Sequence, residues 1–352
     1  MKNFDTIFLS KGVEKYPLTE SIISQTPHSK VEFVQGESHP GNGLLLTENR
    51  GTFFKPCPGM KGNVCCGLWV VEWGLGCPFK CEYCILQFYQ KCGDITLFLN
   101  WEDCEKEIRK IASDDKKIRI CTGEFGDSLA LEKVFPFNRN LISRTQDLKN
   151  LFIEVKTKST EIDLLLDLEG RRENIIFAFS VNGEKNIAEF ETGTAPLNER
   201  IKAAARAANM GFKTAFHFDP IIPTDNWEQE YFETIRLMAA RIPKELIAWI
   251  SLGTFRFPQG FQGKVENIFP NSKIFREEFY PCSDGKLRYF RPFREKIYKV
   301  MINFLKKFFP GVLVYLCMES PDIWERATSC AMNSTNLKTF LDGTLPPNFQ
   351  ME

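Results

Sequence analysis

Short apolar segments alternate with amphipathic segments over most of the chain. Runs of apolar, β-branched and aromatic residues bounded by turn residues predict buried strands, and apolar positions three and four residues apart predict helices. The predicted strands are 31–34, 68–73, 117–125, 151–157, 174–182, 212–222, 246–257 and 312–319. The predicted helices are 160–168, 197–210, 227–242 and 293–309, and helical sequence is also expected from the cysteine-rich segment up to about Ala112.

Two helix ends carry recognisable signals. Gly211 follows the helix 197–210 and is expected at its C′ position, where glycine adopts a left-handed conformation without strain. Asp225 and Glu228 are spaced as a capping box at the start of the helix 227–242.

The alternation of about six strands with helices predicts a parallel sheet, either doubly wound or closed into an open barrel. Functional side chains are then expected at the C-terminal ends of the strands and in the loops that follow them. We expect residues 1–66 to form a small N-terminal α/β extension and residues 67–258 to form the parallel unit. Residues 259–352 are expected to be a helix and strand segment that packs back on this unit.

Composition narrows the possible classes of protein. Lysine plus arginine and aspartate plus glutamate number 45 each, so no overall field draws the protein to nucleic acid or to an anionic membrane. The chain has no run of eighteen apolar residues and no secretion signal, which predicts a cytoplasmic protein without a membrane segment. Twelve cysteines in such a protein indicate metal ligation or thiol chemistry rather than a disulfide framework.

Three cysteines follow the strand 68–73 at the spacing C-x3-C-x2-C: Cys77, Cys81 and Cys84. Four thiolates close an iron–sulfur cubane, whereas three leave one iron open for a small chelating molecule. The amino and carboxylate groups of S-adenosylmethionine suit that position. A zinc site completed by Cys57, Cys65 or Cys92 is the alternative.

This stretch, with Tyr83 just before the last cysteine, resembles the radical S-adenosylmethionine superfamily. The resemblance implies a partial (β/α)6 TIM-like barrel, a [4Fe–4S] cluster and S-adenosylmethionine as cofactors. It also implies that the turn Thr122-Gly123-Glu124, after the second strand, holds the methionyl amino group. A glycine lets the backbone approach a ligand, and a carboxylate pairs with an ammonium group.

Longer stretches, among them "IFLSKGVEKYPLTESI", "TKSTEIDLLLD", "FSVN" and "FETGTAPLNERIKAAARAANMGFK", resemble the spore photoproduct lyase family over nearly the whole chain. The resemblance implies a DNA repair lyase that converts the thymine dimer of ultraviolet-irradiated spore DNA back to two thymines. It implies catalytic roles for Tyr83 and for Cys121 as hydrogen donor, although Cys121 also fits a buried core position. The further cofactor contacts implied are Lys158, Ser180 and Asn182.

One position departs from the family pattern. Repair members carry a second tyrosine directly after the last cluster cysteine, where it relays hydrogen, and this chain has Ile85 there. A family member that acts on another nucleic-acid or small-molecule substrate is therefore an alternative. A zinc-containing nucleic-acid-binding protein is the alternative from another class.

The segment 284–299 interleaves basic and aromatic residues and is predicted to contact DNA, which must present its lesion flipped out of the duplex. Its candidate contacts are Lys286, Arg288, Tyr289, Arg291 and Arg294. A helix start with a solvated charged face is the alternative. The predicted partners are ultraviolet-damaged DNA and a low-potential electron donor such as ferredoxin or flavodoxin, and a monomer is favoured.

Two further groups stand out. Cys57, Cys65 and Cys66 precede the cluster strand, and we expect packed or inert thiols there rather than a second metal site. His217 and Asp219 close the strand 212–222 and are pocket candidates, because barrel enzymes keep functional groups at strand ends.

Overall fold

The fold is described from a computed structural model, which describes residues 4–35, 41, 43–57, 59, 62–89, 94–114, 116–170 and 172–343. The strands in this part of the chain are β1 Thr6–Ser10, β2 Lys30–Val34, β3 Leu44–Thr47, β4 Phe54–Pro56, β5 Trp69–Val71, β6 Gly74–Leu75, β7 Lys80–Cys81, β8 Ile95–Phe98, β9 Ile118–Cys121, β10 Leu151–Thr157, β11 Ile175–Ser180, β12 Glu191–Thr192, β13 Lys213–Ile221, β14 Ile247–Thr254, β15 Arg256–Pro258, β16 Phe279–Pro281, β17 Lys286–Tyr289 and β18 Val314–Leu316.

The helices in the same part are α1 Pro17–Gln25, α2 Leu86–Tyr89, α3 Trp101–Ile111, α4 Phe137–Arg144, α5 Asp163–Leu166, α6 Glu184–Phe190, α7 Leu197–Asn209, α8 Trp227–Ala239, α9 Phe261–Ile268, α10 Arg291–Phe308, α11 Pro321–Thr328 and α12 Ser334–Leu341. Within the described residues, no helix combines the length and the apolar character needed to cross a membrane.

The central element is an eight-stranded sheet in the order β4-β5-β9-β10-β11-β13-β14-β18. The six strands from β5 to β14 run parallel and follow one another in chain order. Their apolar, β-branched sequences suit strands that helices cover. The sheet curls into a half-barrel, which confirms the predicted partial barrel and brings the C-terminal ends of its strands to one mouth.

Both edges of this sheet come from outside the predicted barrel segment. β4 pairs antiparallel with β5, and β18 pairs parallel with β14. One strand of the C-terminal segment, β18, thus forms an edge of the barrel sheet. The boundaries 1–66, 67–258 and 259–352 stay a prediction, although the sheets draw strands across them.

A second sheet has the order β2-β1-β3-β8-β6. Its strand β8 contradicts the helix expected from the cysteines to Ala112, because Ile95–Phe98 pairs in parallel with β3 instead. The segment is a β-branched and aromatic run, and the neighbouring strand stabilises it in the extended form. Among the described residues between Cys84 and Ala112, only α3, from Trp101 on, is a long helix.

The two predicted helix ends differ in outcome. Gly211 has φ 86° after α7, so its C′ position is confirmed. The capping box at Asp225 is wrong: α8 begins after Asn226, which has φ 61° and makes no side-chain capping bond.

Candidate functional site

The three clustered cysteines lie in a loop beyond β5, the first parallel strand of the barrel. The thiol of Cys81 is on a buried residue, and Cys77 and Cys84 are half-buried. The backbone N–H of Cys84 donates to the carbonyl oxygen of Cys81 at 3.1 Å, and the side chain of Gln87 donates to the same oxygen. The loop therefore turns back on itself and presents its cysteines from one short stretch.

Burial raises the pKa of the Cys77 thiol well above its ordinary value, and negative charge on Asp127, Cys84 or Cys81 raises it further. Thiols in such surroundings become thiolates when a metal centre compensates their charge. Three neighbouring thiols on one loop fit a [4Fe–4S] cluster, which Cys77, Cys81 and Cys84 would ligate as thiolates. Within the described residues, no group of three or more His, Cys, Asp or Glu side chains is arranged to hold a single metal ion.

The other cysteines considered as zinc ligands lie elsewhere. Cys57 lies near Glu124 and Cys65, and the Cys66 thiol hydrogen-bonds the Cys65 thiol. Burial raises the pKa of Cys57 to about 12, which suits an un-ionised packed thiol. Cys92 lies outside the described residues.

The predicted cofactor turn follows β9 directly. Thr122 is held on three sides: its N–H donates to the Glu154 carbonyl at 3.1 Å, its hydroxyl donates to Asn138 Oδ1 at 2.6 Å, and its carbonyl accepts from Trp73 Nε1 at 2.6 Å. A Cβ on Gly123 would lie 2.5 Å from the carbonyl oxygen of Lys156, closer than a carbon and an oxygen can approach. Glycine is thus required where the turn passes β10.

Glu124, the carboxylate of that turn, is ion-paired with Lys156. Burial alone would lower the pKa of Lys156, but the nearby Glu124 carboxylate holds it well above its ordinary value. Lys156 was not singled out from the sequence because it lies within a strand pattern; its alternation with Glu154 in "LFIEVKT" is the signal that could have found it.

The remaining cofactor candidates stand at the ends of β10 and β11. Lys158 places its Nζ 5.5 Å from the centre of the Tyr83 ring, and its backbone N–H donates to Asp127 Oδ2 at 2.6 Å. Ser180 is buried at the end of β11. Asn182 is engaged within the protein, since its Oδ1 accepts from Gly183 at 3.0 Å and its Nδ2 donates to the Pro220 carbonyl at 3.1 Å. Their contacts with a cofactor stay predictions.

Cys121 is completely buried on β9 and lies in register with Glu154 of β10. The N–H of Gly123 donates to its Sγ at 3.4 Å. Burial raises the pKa of this thiol well above its ordinary value, and positive charge on Lys156 only partly opposes that. The side chain is therefore an S–H group, one peptide unit from the cofactor turn.

Both pocket candidates have a side-chain partner, and Glu154, the partner of His217, lies opposite this thiol on β10. Nε2 of His217 lies 2.9 Å from Oε1 of Glu154, and the His217 charge holds the pKa of that carboxyl below its ordinary value although burial acts to raise it. Asp219 accepts two hydrogen bonds from Arg256 at 2.9 and 3.1 Å. Glu154 and Arg256 were missed in the sequence because their partners come from other strands.

The predicted DNA segment does not form one exposed face. Arg288, Tyr289 and Arg294 are buried, so this structure does not expose them to DNA, and their DNA contacts stay a prediction. Arg288 donates two hydrogen bonds to Asp284 at 2.6 and 2.7 Å, and Arg294 Nε lies 3.1 Å from Glu319. Buried arginines need such carboxylate partners, which the alternating pattern could not reveal.

Other residues of the same segment do reach the surface. Arg291 is exposed and Lys286 is half-buried, so their DNA contacts stay predictions. Phe290 of the predicted segment forms an exposed aromatic pair with Tyr280, which the sequence pattern missed. The two residues are 55% and 42% exposed, and their ring centres are 5.3 Å apart.

A parallel half-barrel with three cysteines beyond its first strand and a Gly-Glu turn after its second defines a radical S-adenosylmethionine enzyme. The family model for spore photoproduct lyase matches residues 67–315, which is more than half of the chain. The chain belongs to the spore photoproduct lyase family. This membership makes it a radical enzyme with a [4Fe–4S] cluster and S-adenosylmethionine as cofactors, as expected, and removes the zinc-protein alternative.

Curated relatives and solved structures agree with the family model. A spore photoproduct lyase of Clostridium acetobutylicum is 24% identical over 339 residues, which are 87% of this chain and 96% of the relative. One of a Geobacillus species is 28% identical over 258 residues, 68% of this chain and 73% of the relative. The structure of a spore photoproduct lyase variant with dinucleoside spore photoproduct shares the fold, with a TM-score of 0.79 and 21% identity over 90% of this chain and all of that one.

Proposed function

We propose that this enzyme restores two thymines from spore photoproduct in DNA. The observation that carries the proposal is Cys121, a buried and protonated thiol that directly precedes the turn Thr122-Gly123-Glu124 in a member of this family. A relative of the same fold has been solved with bound AdoMet and dinucleoside spore photoproduct. The substrate of that protein is the first candidate for this one.

The cofactors would be held by residues at the barrel mouth. Cys77, Cys81 and Cys84 would ligate three irons of the cluster. The turn at Gly123 and Glu124 would bind the methionyl amino group, and the side chains that follow β10 and β11 would bind the rest: Lys158, Ser180 and Asn182. When bound, the cluster and S-adenosylmethionine together supply a deoxyadenosyl radical.

The Glu124 carboxylate could pair with either of two ammonium groups. Its carboxylate pairs with the Lys156 ammonium in this structure, and a methionyl ammonium would share or replace that contact. Lys156 would then remain beside Cys121 and Glu154, which keeps the interior next to the thiol close to neutral. These residues would also exclude water from the thiol, since each of them is largely enclosed by the barrel.

Cys121 would donate its hydrogen atom to the thymine radical left after the lesion opens. An S–H group can do this only while it is protonated, and burial keeps it so. Ile85 stands where the family's second tyrosine would relay hydrogen, and its side chain has no transferable hydrogen on a heteroatom. We infer that Cys121 recovers its hydrogen without a relay through the side chain at position 85.

DNA would approach at the exposed part of the C-terminal segment. Tyr280 and Phe290 present adjacent ring faces on which bases or a vacated base stack can pack. Arg291 and Lys286 supply charge for phosphates. The proposal also includes a low-potential ferredoxin- or flavodoxin-type electron donor and a monomer, and it places the enzyme in the compartment that contains the DNA.

Ile85 favours a second candidate function, which is the same radical chemistry on another nucleic-acid or small-molecule substrate. The deciding experiment is anaerobic turnover of reconstituted, reduced protein with S-adenosylmethionine and an oligonucleotide that carries one spore photoproduct. Restored thymines would establish the repair function. Deoxyadenosine without restored thymines would refute it and favour the second candidate.

A further inference from the structure

The loop that carries Cys77, Cys81 and Cys84, here called the cluster loop, has backbone hydrogen bonds to the barrel on both sides of Cys77. The N–H of Gly76 donates to the carbonyl of Phe125 at 3.0 Å, and a short ladder follows. β7 and β12 are antiparallel, with Cys81 opposite Glu191 and Lys80 opposite Thr192. The N–H of Glu82 donates to the carbonyl of Phe190 at 2.9 Å. Two-residue strands contribute only a few of the hydrogen bonds that hold the loop in place.

A network of side-chain hydrogen bonds also links the cluster loop to the barrel. The hydroxyl of Tyr83 donates to Oε1 of Glu191, and Nη2 of Arg200 donates to Oε2 of the same carboxylate at 2.5 Å. The side chains of Glu191 and Arg200 are 1% and 0% exposed. Tyr83 lies between two cluster ligands in the chain, so the carboxylate holds the loop through its middle.

Arg200 extends this link to the cofactor side of the site. Its Nη1 donates to the carbonyl of Ser180 at 2.9 Å, and its Nε donates to the carbonyl of Ala195 at 2.7 Å. The N–H of Ala195 in turn donates to the carbonyl of Lys158 at 3.0 Å. One buried guanidinium thus joins the cluster loop to the ends of both strands that carry cofactor candidates.

A buried ion pair holds two segments together at a large cost in desolvation free energy. Removing both charges from water costs several kcal/mol per ion, so an apolar pair of similar size would stabilise the fold as well or better. What the pair provides is direction, because a planar guanidinium and a carboxylate accept only a few mutual orientations. The arrangement suits a site whose halves must meet within a fraction of an ångström.

We propose that Glu191 and Arg200 are positioning residues that set the placement of the cluster loop, through Tyr83, relative to the S-adenosylmethionine cradle at the ends of β10 and β11. This inference rests on the proposed cofactor site and not on the identity of the substrate. Loss of the pair leaves the three cysteines able to bind a cluster but misplaces the cluster with respect to S-adenosylmethionine.

The test uses Glu191→Gln in the full chain, reconstituted under anaerobic conditions. Asp342→Asn is the matched control: Asp342 also pairs with a buried arginine, Arg119, at 2.9 Å, but at the opposite end of the barrel strands. The measurements are iron content, the electron paramagnetic resonance spectrum of the reduced cluster with and without S-adenosylmethionine, and the dissociation constant of S-adenosylmethionine.

We expect Glu191→Gln to bind wild-type amounts of iron and to give the wild-type spectrum without S-adenosylmethionine. On addition of S-adenosylmethionine its spectral change should be diminished, and its affinity should fall by about tenfold, since one charged hydrogen bond to a positioned group is lost. Asp342→Asn should behave as wild type in both respects. A wild-type spectral change and affinity in Glu191→Gln would overturn the inference.

If Glu191→Gln does not fold, Tyr83→Phe keeps the proposal testable. This substitution removes only the Tyr83 hydroxyl from the network and leaves the Glu191–Arg200 pair in place. It should reduce the S-adenosylmethionine-induced spectral change in the same sense, by a smaller factor, and an unchanged spectrum would count against the inference. Failure of wild-type protein to restore thymines would refute the repair function alone, since these spectra are recorded without DNA.

Discussion

Gly123→Ala is the most direct perturbation of the cofactor turn. The added Cβ would lie 2.5 Å from the Lys156 carbonyl oxygen and 2.8 Å from the Lys156 Cβ. An ordinary carbon–oxygen contact is about 3.3 Å, so the turn and β10 would have to separate by about 0.8 Å. Both partners are backbone or Cβ atoms, which no side-chain rotation can remove. We expect a loss of about 1–3 kcal/mol in the free energy of unfolding.

The displacement also moves Glu124, the next residue, away from the position where it would meet an ammonium group. We therefore expect the affinity for S-adenosylmethionine to fall at least tenfold, about 1.4 kcal/mol. Urea unfolding of the cluster-free protein gives the first quantity, and titration of the reconstituted protein with S-adenosylmethionine gives the second.

Gly263→Ala is the matched control, because Gly263 lies within α9 and its added Cβ would meet nothing within 4 Å. It should stabilise the protein by about 0.5–1 kcal/mol, the usual gain for alanine over glycine in a helix. Unchanged stability and cofactor affinity in Gly123→Ala would refute the reasoning that the turn requires a glycine for close approach to β10.

Four further predictions follow from single residues. Cys121→Ala should still form deoxyadenosine but yield by-products of the unquenched thymine radical, as product analysis by mass spectrometry would show; thymines restored cleanly would exclude Cys121 as donor. Burial raises the pKa of Glu132 to about 7; because this folded-state pKa lies above the unfolded one, the contribution of Glu132 to stability is fully present below pH 4.5 and is lost as pH rises from 4.5 to 7, by up to about 1.4 kcal/mol per pH unit. Urea unfolding at pH 5 and pH 7 should show this loss in wild type and not in Glu132→Gln, and equal pH dependence of the two proteins would contradict it. Arg288→Ala should cost about 3–5 kcal/mol of stability by leaving Asp284 buried without its partner, whereas a small loss with weaker DNA binding would restore Arg288 as a DNA contact. Arg291→Ala should leave the unfolding curve unchanged and reduce the salt dependence of DNA binding by about one phosphate contact, measured by fluorescence anisotropy; an unchanged salt dependence would remove Arg291 from the interface.

Local patterns in the chain were sufficient for the barrel and its cluster. Runs such as 151–157 and 212–222 became β10 and β13 because a buried parallel strand needs a continuous apolar segment, which the sequence shows directly. The spacing of Cys77, Cys81 and Cys84 likewise lies within one loop, so no distant part of the chain is needed to bring them together. The left-handed C′ residue Gly211 is another local feature that was predicted correctly.

The patterns failed where a neighbour from elsewhere in the chain decides the outcome. Ile95–Phe98 is extended because β3 lies beside it, and Arg288 is buried because Asp284 and the Met318 carbonyl accept its hydrogen bonds. The sequence alone does not distinguish an exposed arginine from a buried one. Burial of the charge is possible only when a partner offsets the loss of hydration, and that partner comes from elsewhere in the fold.

The sequence by itself thus determined the parallel strands of the barrel, the cysteine loop and the family to which the chain belongs. Only the tertiary structure decided how the site is held together. Lys156 pairs with Glu124, His217 contacts Glu154, and Arg200 links Glu191 to the end of β11. The physical reason is that apolar periodicity and ligand spacing are properties of consecutive residues. An ion pair is a property of two side chains that meet only when the sheet curls.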